Sequence, residues 1–263
     1  RGWRLGGGVT YASLTTARLG LTTTALIGVD ASAASAAELD SLRAAGVDVH
    51  LAPLAESPAF RNTETPDGRV QVAIAPGVPL VPRAVPDAWH AARAWSIVPV
   101  AGEIGETWAA HLPDRATVAL GWQGMLRTLV AGQRVERRPP TPSALLRRAD
   151  LVGVSAFDLE PGTDPRDLVA FLRPGARLVV TRGDQGGTII DLGESDGFAS
   201  RTTNYVAFPT GPELDATGAG DTFLAAMLAV TIRPEILGDD RASRDVDVRF
   251  AAAAASLTVG APG

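Results

Sequence analysis

Short apolar runs alternate with segments of helical spacing over most of the chain. The first unit, "TTTALIGVD" (22–30), "SAAELDSLRAAG" (35–46) and "VDVHLAPL" (47–54), predicts a strand, a helix and a strand. Four more apolar runs predict strands: "AWSIVPV" (94–100), "ATVALGW" (116–122), "ADLVGVS" (149–155) and "ARLVVTRG" (176–183). Between them, residues 143–150 and 164–175 have the pattern of helices. This order is typical of an α/β fold with a mostly parallel sheet, whose ligands bind beyond the carboxyl ends of the strands.

Residues 58–75 break this alternation. Two runs of alternating polarity flank "PDG", which is a turn signal, and they predict a β-hairpin that stands off the main sheet. The pattern leaves two interpretations open. The hairpin is either a plain surface feature or a lid over a binding site.

The composition excludes several classes of function. The net charge of −5 over 263 residues disfavours nucleic acid and anionic membranes as partners. All 24 basic residues are arginine, so a Walker-A loop, the protein-kinase lysine and Schiff-base chemistry are excluded. The chain has no cysteine and no apolar run of roughly 18 residues, and we expect a cytoplasmic protein. His50, His90 and His111 lack the spacing of metal ligands and are interpreted as ordinary surface or core residues.

The stretch "LDATGAGDTF" (214–223) carries the strongest chemical signal. The apolar run after it predicts a helix, which places Thr217 to Asp221 at the helix N-terminus. The first N–H groups of a helix lack partners, and glycines let a ligand approach them, so this segment predicts an anion hole for a phosphate. An acid beside that hole would repel the anion, but it could take a proton from an attacking hydroxyl. The alternative is a glycine-rich helix cap with Asp221 near the dipole.

The motif "DATGAGD" (215–221) closely resembles the D-T-x-G-A-G-D signature of the ribokinase-like (PfkB) carbohydrate kinases. Three other stretches are similar to motifs of that family in the same order: "GGGVTYASLTTARLG" (6–20), "VVTRGDQGG" (179–187) and "FAAAAASLTVGAPG" (250–263). The resemblance implies one kinase domain over residues 1–263, a three-layer α/β/α sandwich whose small β lid is the hairpin at 58–75. Because the family has a strand before its first glycine motif, we expect the first strand and the C-terminal end to lie outside this sequence.

The resemblance also implies roles for individual residues. Asp221 matches the catalytic base, and the anion hole matches Gly218, Ala219 and Gly220. The ATP-binding positions match Thr181, Gly183, Gly186 and Thr217, and Asp215 with Thr217 matches a site for a monovalent cation such as K⁺. The family's N-x-x-E element for Mg²⁺ aligns with Ser155 and Asp158, which form S-x-x-D here and would hold Mg²⁺ through water. The alternative for this pair is a strand end that caps the next helix.

The sequence indicates the residues that would bind the phosphate acceptor less specifically. The resemblance places Gly7 and Gly8 near the phosphate acceptor and puts Tyr11 where many sugar kinases of the family carry asparagine. Further candidates for the acceptor pocket, each more often a surface or packing residue, are Arg61, Arg69, Gln71, Glu103, Gln123 and Arg127.

We predict an ATP-dependent kinase of a small sugar or cyclitol, a polyol, and by analogy a homodimer that pairs through its lids. The alternatives are a nucleoside kinase of the same family and a non-catalytic relative that binds nucleotide or sugar. A dinucleotide-dependent oxidoreductase is disfavoured because no G-x-G-x-x-G follows a predicted strand.

Overall fold

A computed structural model describes residues 5–65, 68–195, 199–208, 215–242 and 245–259. The helices are α1 (Gly8–Arg18), α2 (Ala37–Ala44), α3 (Ala144–Arg148), α4 (Ala219–Ile232) and α5 (Val246–Val259). The strands are β1 (Thr24–Val29), β2 (Asp48–Pro53), β3 (Ala59–Thr65), β4 (Gly68–Ala75), β5 (Ala94–Ile97), β6 (Thr117–Gly121), β7 (Arg127–Thr128), β8 (Glu136–Arg137), β9 (Leu151–Ser155), β10 (Arg177–Thr181), β11 (Gly187–Leu192) and β12 (Ala199–Tyr205). Short 3-10 turns complete several of the connections.

Six strands form the central sheet in the order β12-β11-β10-β9-β6-β5. Strands β5, β6, β9 and β10 are parallel, and β11 and β12 extend the sheet as an antiparallel pair. The prediction of a mostly parallel α/β sheet is therefore confirmed. Strands β11 and β12 were not predicted from the sequence.

Both faces of the central sheet are buried, which explains the continuous apolar runs. Along β6, Val118 and Leu120 face one core cluster, whereas Ala119 faces another. The first cluster is covered by residues from α3 and the 3-10 turns: Trp108, Leu112, Leu145, Leu146, Leu168 and Leu172. The second is covered by residues from α4 and α5: Phe223, Leu224, Met227, Val248 and Ala251. The result is the three-layer sandwich that the resemblance implies.

The predicted unit over residues 22–54 is confirmed as a parallel β1–β2 pair joined by α2. It has its own apolar cluster, which includes Ile27, Leu39, Leu42 and Val47. Helix α1 contacts both β1 and β5, and so it lies between this unit and the central sheet. Within the described residues, no helix is long and apolar enough to span a bilayer.

The hairpin predicted over residues 58–75 is present as the antiparallel pair β3–β4, although its turn at residues 66–67 lies outside the described residues. A loop that follows β7 anchors β4. Ala73 N–H donates to the Gln133 carbonyl over 3.0 Å, and Gly132 N–H donates to the Ala73 carbonyl over 2.7 Å. The hairpin is thus tied to the segment that carries Gln123 and Arg127.

The predicted helix at residues 164–175 is instead a 3-10 turn, Pro165–Phe171. The Asp164 side chain caps the start of this turn and accepts from the N–H of Arg166 at 2.9 Å. The Arg147 guanidinium holds the end of the turn because it donates to the carbonyls of Ala170 and Leu172. A turn held at both ends by side chains satisfies its backbone without α-helical bonds.

We expect the substitution Trp122→Ala to reduce the free energy of unfolding by about 3–5 kcal/mol, because it leaves a large cavity in the core. Trp122 is 1% exposed and packs edge-on against Phe171 with ring centroids 5.8 Å apart. Chemical denaturation would measure the change, with Trp122→Phe as the matched variant that keeps most of the volume. A loss below about 1 kcal/mol for Trp122→Ala would contradict this account of the core.

Candidate active site

The candidate site lies where the carboxyl ends of β5, β6, β9 and β10 meet the N-terminus of α4. Strands β9 and β10 end in register, with Ser155 opposite Thr181. Helix α4 is buried along residues 222–230, so the core packing fixes where it begins. In parallel sheets of this kind, the carboxyl edge is where ligands bind.

Helix α4 begins after Gly218, and no side chain caps it there. Gly218 has a φ of 82°, the left-handed conformation that favours glycine. The Tyr11 ring covers this residue so closely that a Cβ at position 218 would lie 2.2 Å from Tyr11 Cγ. The N–H groups of the first turn, from Ala219 onward, are in the position that binds anions in other proteins. In this structure the Ala219 N–H donates to the Ala216 carbonyl over 3.3 Å, and the anion hole stays a prediction.

The Asp221 side chain lies in the first turn of α4 and is partly buried. The pKa of its carboxyl is raised to about 7, mainly by burial and also by the nearby charge of Asp158, whereas the charge of Arg127 lowers it. Loss of hydration is the largest cause because it penalises the charged form. A carboxyl with a pKa near neutrality can exchange protons at physiological pH.

The two glycine motifs of the sequence meet at this carboxylate. A Cβ at position 8 would lie 2.7 Å from Asp221 Oδ1 and 2.8 Å from Val98 Cβ, so only glycine leaves room for the acid. Gly7 directly precedes α1 as its cap residue. Val98, which follows β5, is a site residue that the sequence analysis missed, although its place after a predicted strand could have indicated it.

Asp158 is held by two protein side chains beside this acid. Arg127 Nη2 donates to Asp158 Oδ1 over 3.0 Å, and Gln123 Nε2 donates to Oδ2 over 3.1 Å. The side chains of Arg127 and Asp158 are only 14% and 11% exposed. The structure thus joins Gln123 and Arg127, predicted on the acceptor side, with Asp158, predicted on the metal side.

The described residues include no group of three or more histidine, cysteine or acidic side chains that could hold a metal ion. Magnesium in kinases is often held by one or two carboxylates together with substrate phosphates, and it keeps several waters. Asp158 fits such a role through water, since a carboxylate has about four acceptor positions and the donors from Arg127 and Gln123 leave room for another. Ser155 differs, because its Oγ accepts from Phe157 N–H at 3.2 Å and caps the turn after β9. Such a contact is expected from the alternative interpretation of this pair, in which the strand end caps the element that follows.

The nucleotide-side residues surround the turn between β10 and β11. Thr181 ends β10, and Gly183 and Gly186 bound the turn that follows it. Asp215 Oδ1 accepts from Thr217 N–H at 2.9 Å just before α4, so the predicted cation-site residues are adjacent.

Several large apolar side chains are exposed, among them Phe157, Val206, Phe208 and Leu257. Gly260 to Gly263, the end of the fourth motif, lie outside the described residues.

The remaining acceptor candidates are spread over other parts of the fold. Arg61 is exposed on β3, and Gln71 on β4 donates to Asn62 across the hairpin over 2.8 Å. Glu103 accepts from the N–H groups of Val100 and Ala101, so it organises the loop after β5. The Arg69 side chain lies outside the described part of the structure.

With this geometry in view, the sequence was compared with known proteins. The family model described as pfkB family carbohydrate kinase matches residues 5–263. The chain belongs to this family. No curated protein sequence matches it significantly.

Solved structures of the ribokinase family share the fold of this pfkB family member. One is a pyrophosphate-dependent kinase in complex with sulfate, with a TM-score of 0.76 and 22% identity over 98% of this chain and 88% of the other. Another is a pyrophosphate-dependent myo-inositol-1 kinase that was converted into a myo-inositol-3 kinase by mutation. It has a TM-score of 0.77 and 20% identity over 98% of this chain and 86% of the other. The ribokinase of Thermotoga maritima has a TM-score of 0.66 and 14% identity, over 98% and 82%.

We expect Asp221→Asn to stabilise the fold clearly more at pH 8 than at pH 5. The pKa of Asp221 is raised to about 7 in the folded state, so the folded protein binds more protons than the unfolded chain between about pH 4 and pH 7. Stability therefore falls as the pH rises through this window, and asparagine avoids the loss, which is at most about 4 kcal/mol.

Thermal unfolding at both pH values would measure this effect. Asp167→Asn, at an exposed position, is the matched control. Equal effects of Asp221→Asn at pH 5 and pH 8 would show that the carboxyl does not titrate as described.

Proposed function

We propose that the protein is a phosphotransferase that moves the γ-phosphate of ATP to an alcohol group of a small sugar or cyclitol. The observation that carries the proposal is the Asp221 carboxyl, with its pKa raised to about 7, in the first turn of α4 beside an uncapped helix N-terminus. An anion site next to a proton acceptor is the arrangement that phosphoryl transfer to an alcohol needs.

In the proposed mechanism, one proton is transferred, one P–O bond forms and one P–O bond breaks. The Asp221 carboxylate takes the proton of the acceptor hydroxyl, and the acceptor oxygen attacks the γ-phosphorus. The bond from that phosphorus to the β–γ bridging oxygen breaks, and ADP leaves with the bond's electron pair. The N–H groups at Gly218, Ala219 and Gly220 stabilise the negative charge on the transferring phosphoryl group, and donors of this kind are worth about 10²–10³ in rate each.

Magnesium bound to the donor would neutralise phosphate charge, and Asp158 would hold it through water. Arg127 and Gln123 fix the orientation of the Asp158 carboxylate for this task. Asp215 and Thr217 would hold a monovalent cation, which is proposed from the resemblance alone. A cytoplasmic location and a homodimer through the β3–β4 lid likewise remain predictions.

The choice of ATP as donor rests on apolar surface. Val206 is 81% exposed and Leu257 is 80% exposed, and the two segments that carry them meet where the Phe208 carbonyl accepts from Ser256 Oγ at 3.1 Å. A nucleobase needs such a surface for packing, whereas an inorganic donor does not. Pyrophosphate is the second candidate, because two of the similar structures are described as pyrophosphate-dependent.

The choice of a small polyol as acceptor rests on polar groups near Asp221. Gln123 and Arg127 supply donors there, and the Tyr11 ring lies over Gly218. A cyclitol is supported further by the similar structure described as a myo-inositol kinase. A nucleoside would need an additional apolar slot for its base under the lid.

We expect turnover with ATP, Mg²⁺ and K⁺ on one of a panel of acceptors that includes ribose, fructose, myo-inositol and nucleosides. Asp221→Asn should lower kcat by at least about a hundredfold, because it removes the general base. Release of ADP would be measured, and in parallel reactions pyrophosphate would replace ATP. Asp167→Asn, an exposed acid, is the matched control and should retain full activity.

Turnover with pyrophosphate alone would overturn the choice of donor and leave the mechanism intact. An active Asp221→Asn variant would overturn the mechanism. ATP binding without turnover on any acceptor would favour the non-catalytic alternative.

We expect the pH profile of kcat/KM to fall below about pH 7 as Asp221 becomes protonated. Arg127→Met should move the midpoint to higher pH, because the charge of Arg127 lowers the pKa of Asp221. Asp158→Asn should move it to lower pH, because the charge of Asp158 raises that pKa. Arg43→Met, on the exposed surface of α2, is the control. Midpoints that move together in one direction would contradict this electrostatic balance.

A further inference from the structure

Four arginines meet at the edge of the central sheet opposite the candidate active site. They come from the three connections that lead into β6, β9 and β10. Together with two acids they line a cavity of about 410 Å³, which we call the arginine pocket and whose charged residues are Asp114, Arg115, Arg147, Arg148, Asp150 and Arg173. This clustering is not explained by the proposed reaction.

Backbone carbonyls hold two of these guanidinium groups in place. Arg147 donates to the carbonyl of Leu172 over 2.6 Å and to that of Ala170 over 3.0 Å. Arg148 donates to the carbonyls of Ala116 and Pro113. A neutral carbonyl orients a guanidinium but leaves its positive charge in place. The pocket therefore carries cations that are already positioned.

The carboxylates of the pocket offset only part of this charge. Asp150 pairs with Arg173, lies 3.7 Å from Arg148, and also accepts from Val118 N–H at 2.7 Å. Arg115 makes no hydrogen bond or ion pair within the described part of the chain. The lining thus holds four arginines against the two acids Asp114 and Asp150.

One buried donor in the arginine pocket has no partner. Arg173 Nε is inaccessible to solvent and makes no hydrogen bond to any described residue. A buried N–H without an acceptor is unfavourable, so the hydrogen-bonding capacity of the Arg173 guanidinium is only partly satisfied by Asp150. The excess of positive charge indicates that the ligand is an anion.

We propose that the arginine pocket binds a small phosphate-type oxyanion, either free or as a phosphate ester. Guanidinium groups match phosphate oxygens in pairs of parallel hydrogen bonds and stay charged at every physiological pH. The cavity is concave and small, which suits a compact anion rather than a macromolecule. Strands β6 and β9 separate the pocket from Gln123 and Asp158 by about 16 Å, at 3.3 Å per residue for five residues. The proposal therefore does not depend on the proposed function.

Calorimetric titration of the full chain with inorganic phosphate, pyrophosphate and glycerol phosphate would test this site. We expect two classes of binding sites in the wild type, one at the N-terminus of α4 and one in the arginine pocket. Arg115→Glu should weaken the pocket site at least about tenfold and leave the other unchanged. Comparing free phosphate with its ester shows which form the pocket prefers. Arg43→Glu, which makes the same charge change on α2, should keep both sites.

Identical titrations for the wild type and Arg115→Glu would overturn the proposal, whether the wild type shows one class of sites or two. Arg115→Gln, which only removes the charge, provides a milder variant if the reversed charge disturbs folding. A crystal soaked in tungstate gives an independent readout, since anomalous density should appear beside Arg115 and Arg173. Density at α4 alone would also count against the arginine pocket.

Discussion

The candidate site depends on the contact between Gly8 and Asp221. Because residue 8 has no Cβ, the N-terminus of α1 approaches α4 closely enough to cover the carboxylate, whose Oδ1 would lie 2.7 Å from any Cβ there. Burial by this approach is what raises the pKa of Asp221. Helix α4 is itself fixed by its packing, since Leu224 lies against Gly153 of β9. The position of the acid therefore follows from the core rather than from a loop.

The charges of Asp158 and Arg127 shift the pKa of Asp221 in opposite directions. Asp158 alone would raise the pKa of the acid further, and Arg127 partly cancels this effect because it is paired with Asp158 at 3.0 Å. The pair is only slightly exposed, so water screens its charges weakly. The S-x-x-D element consequently has a local partner that its sequence does not indicate. The charge of Asp158 therefore acts directly on the pKa of the acid.

Sequence patterns predicted the parts of the fold that depend on residues close together in the chain. The apolar run at 116–122 is buried on both faces, the run at 94–100 alternates between buried and partly buried residues, and the glycine-rich stretch 217–221 opens a helix. Strand β12 was missed because it is polar and lies at the sheet edge, where no apolar pattern is required. Strand β11 was missed although Ile189 and Ile190 give it a short buried apolar run. The Arg127–Asp158 pair was missed as a pair because its members are 31 residues apart in sequence. Only the register of β6 with β9 brings them together.

The contrast between local patterns and contacts between distant residues also explains why the class of reaction is easier to infer from the sequence than the phosphoryl donor. In the proposed reaction, the backbone N–H groups at Gly218 to Gly220 would bind a terminal phosphoryl group equally well in ATP or in pyrophosphate. Discrimination must come from the part of the donor beyond that group. Here it would contact Val206 or Leu257, apolar residues whose exposure only the structure reveals. In the proposed reaction, the backbone anion hole would fix the chemistry, and side chains beyond it would select the donor.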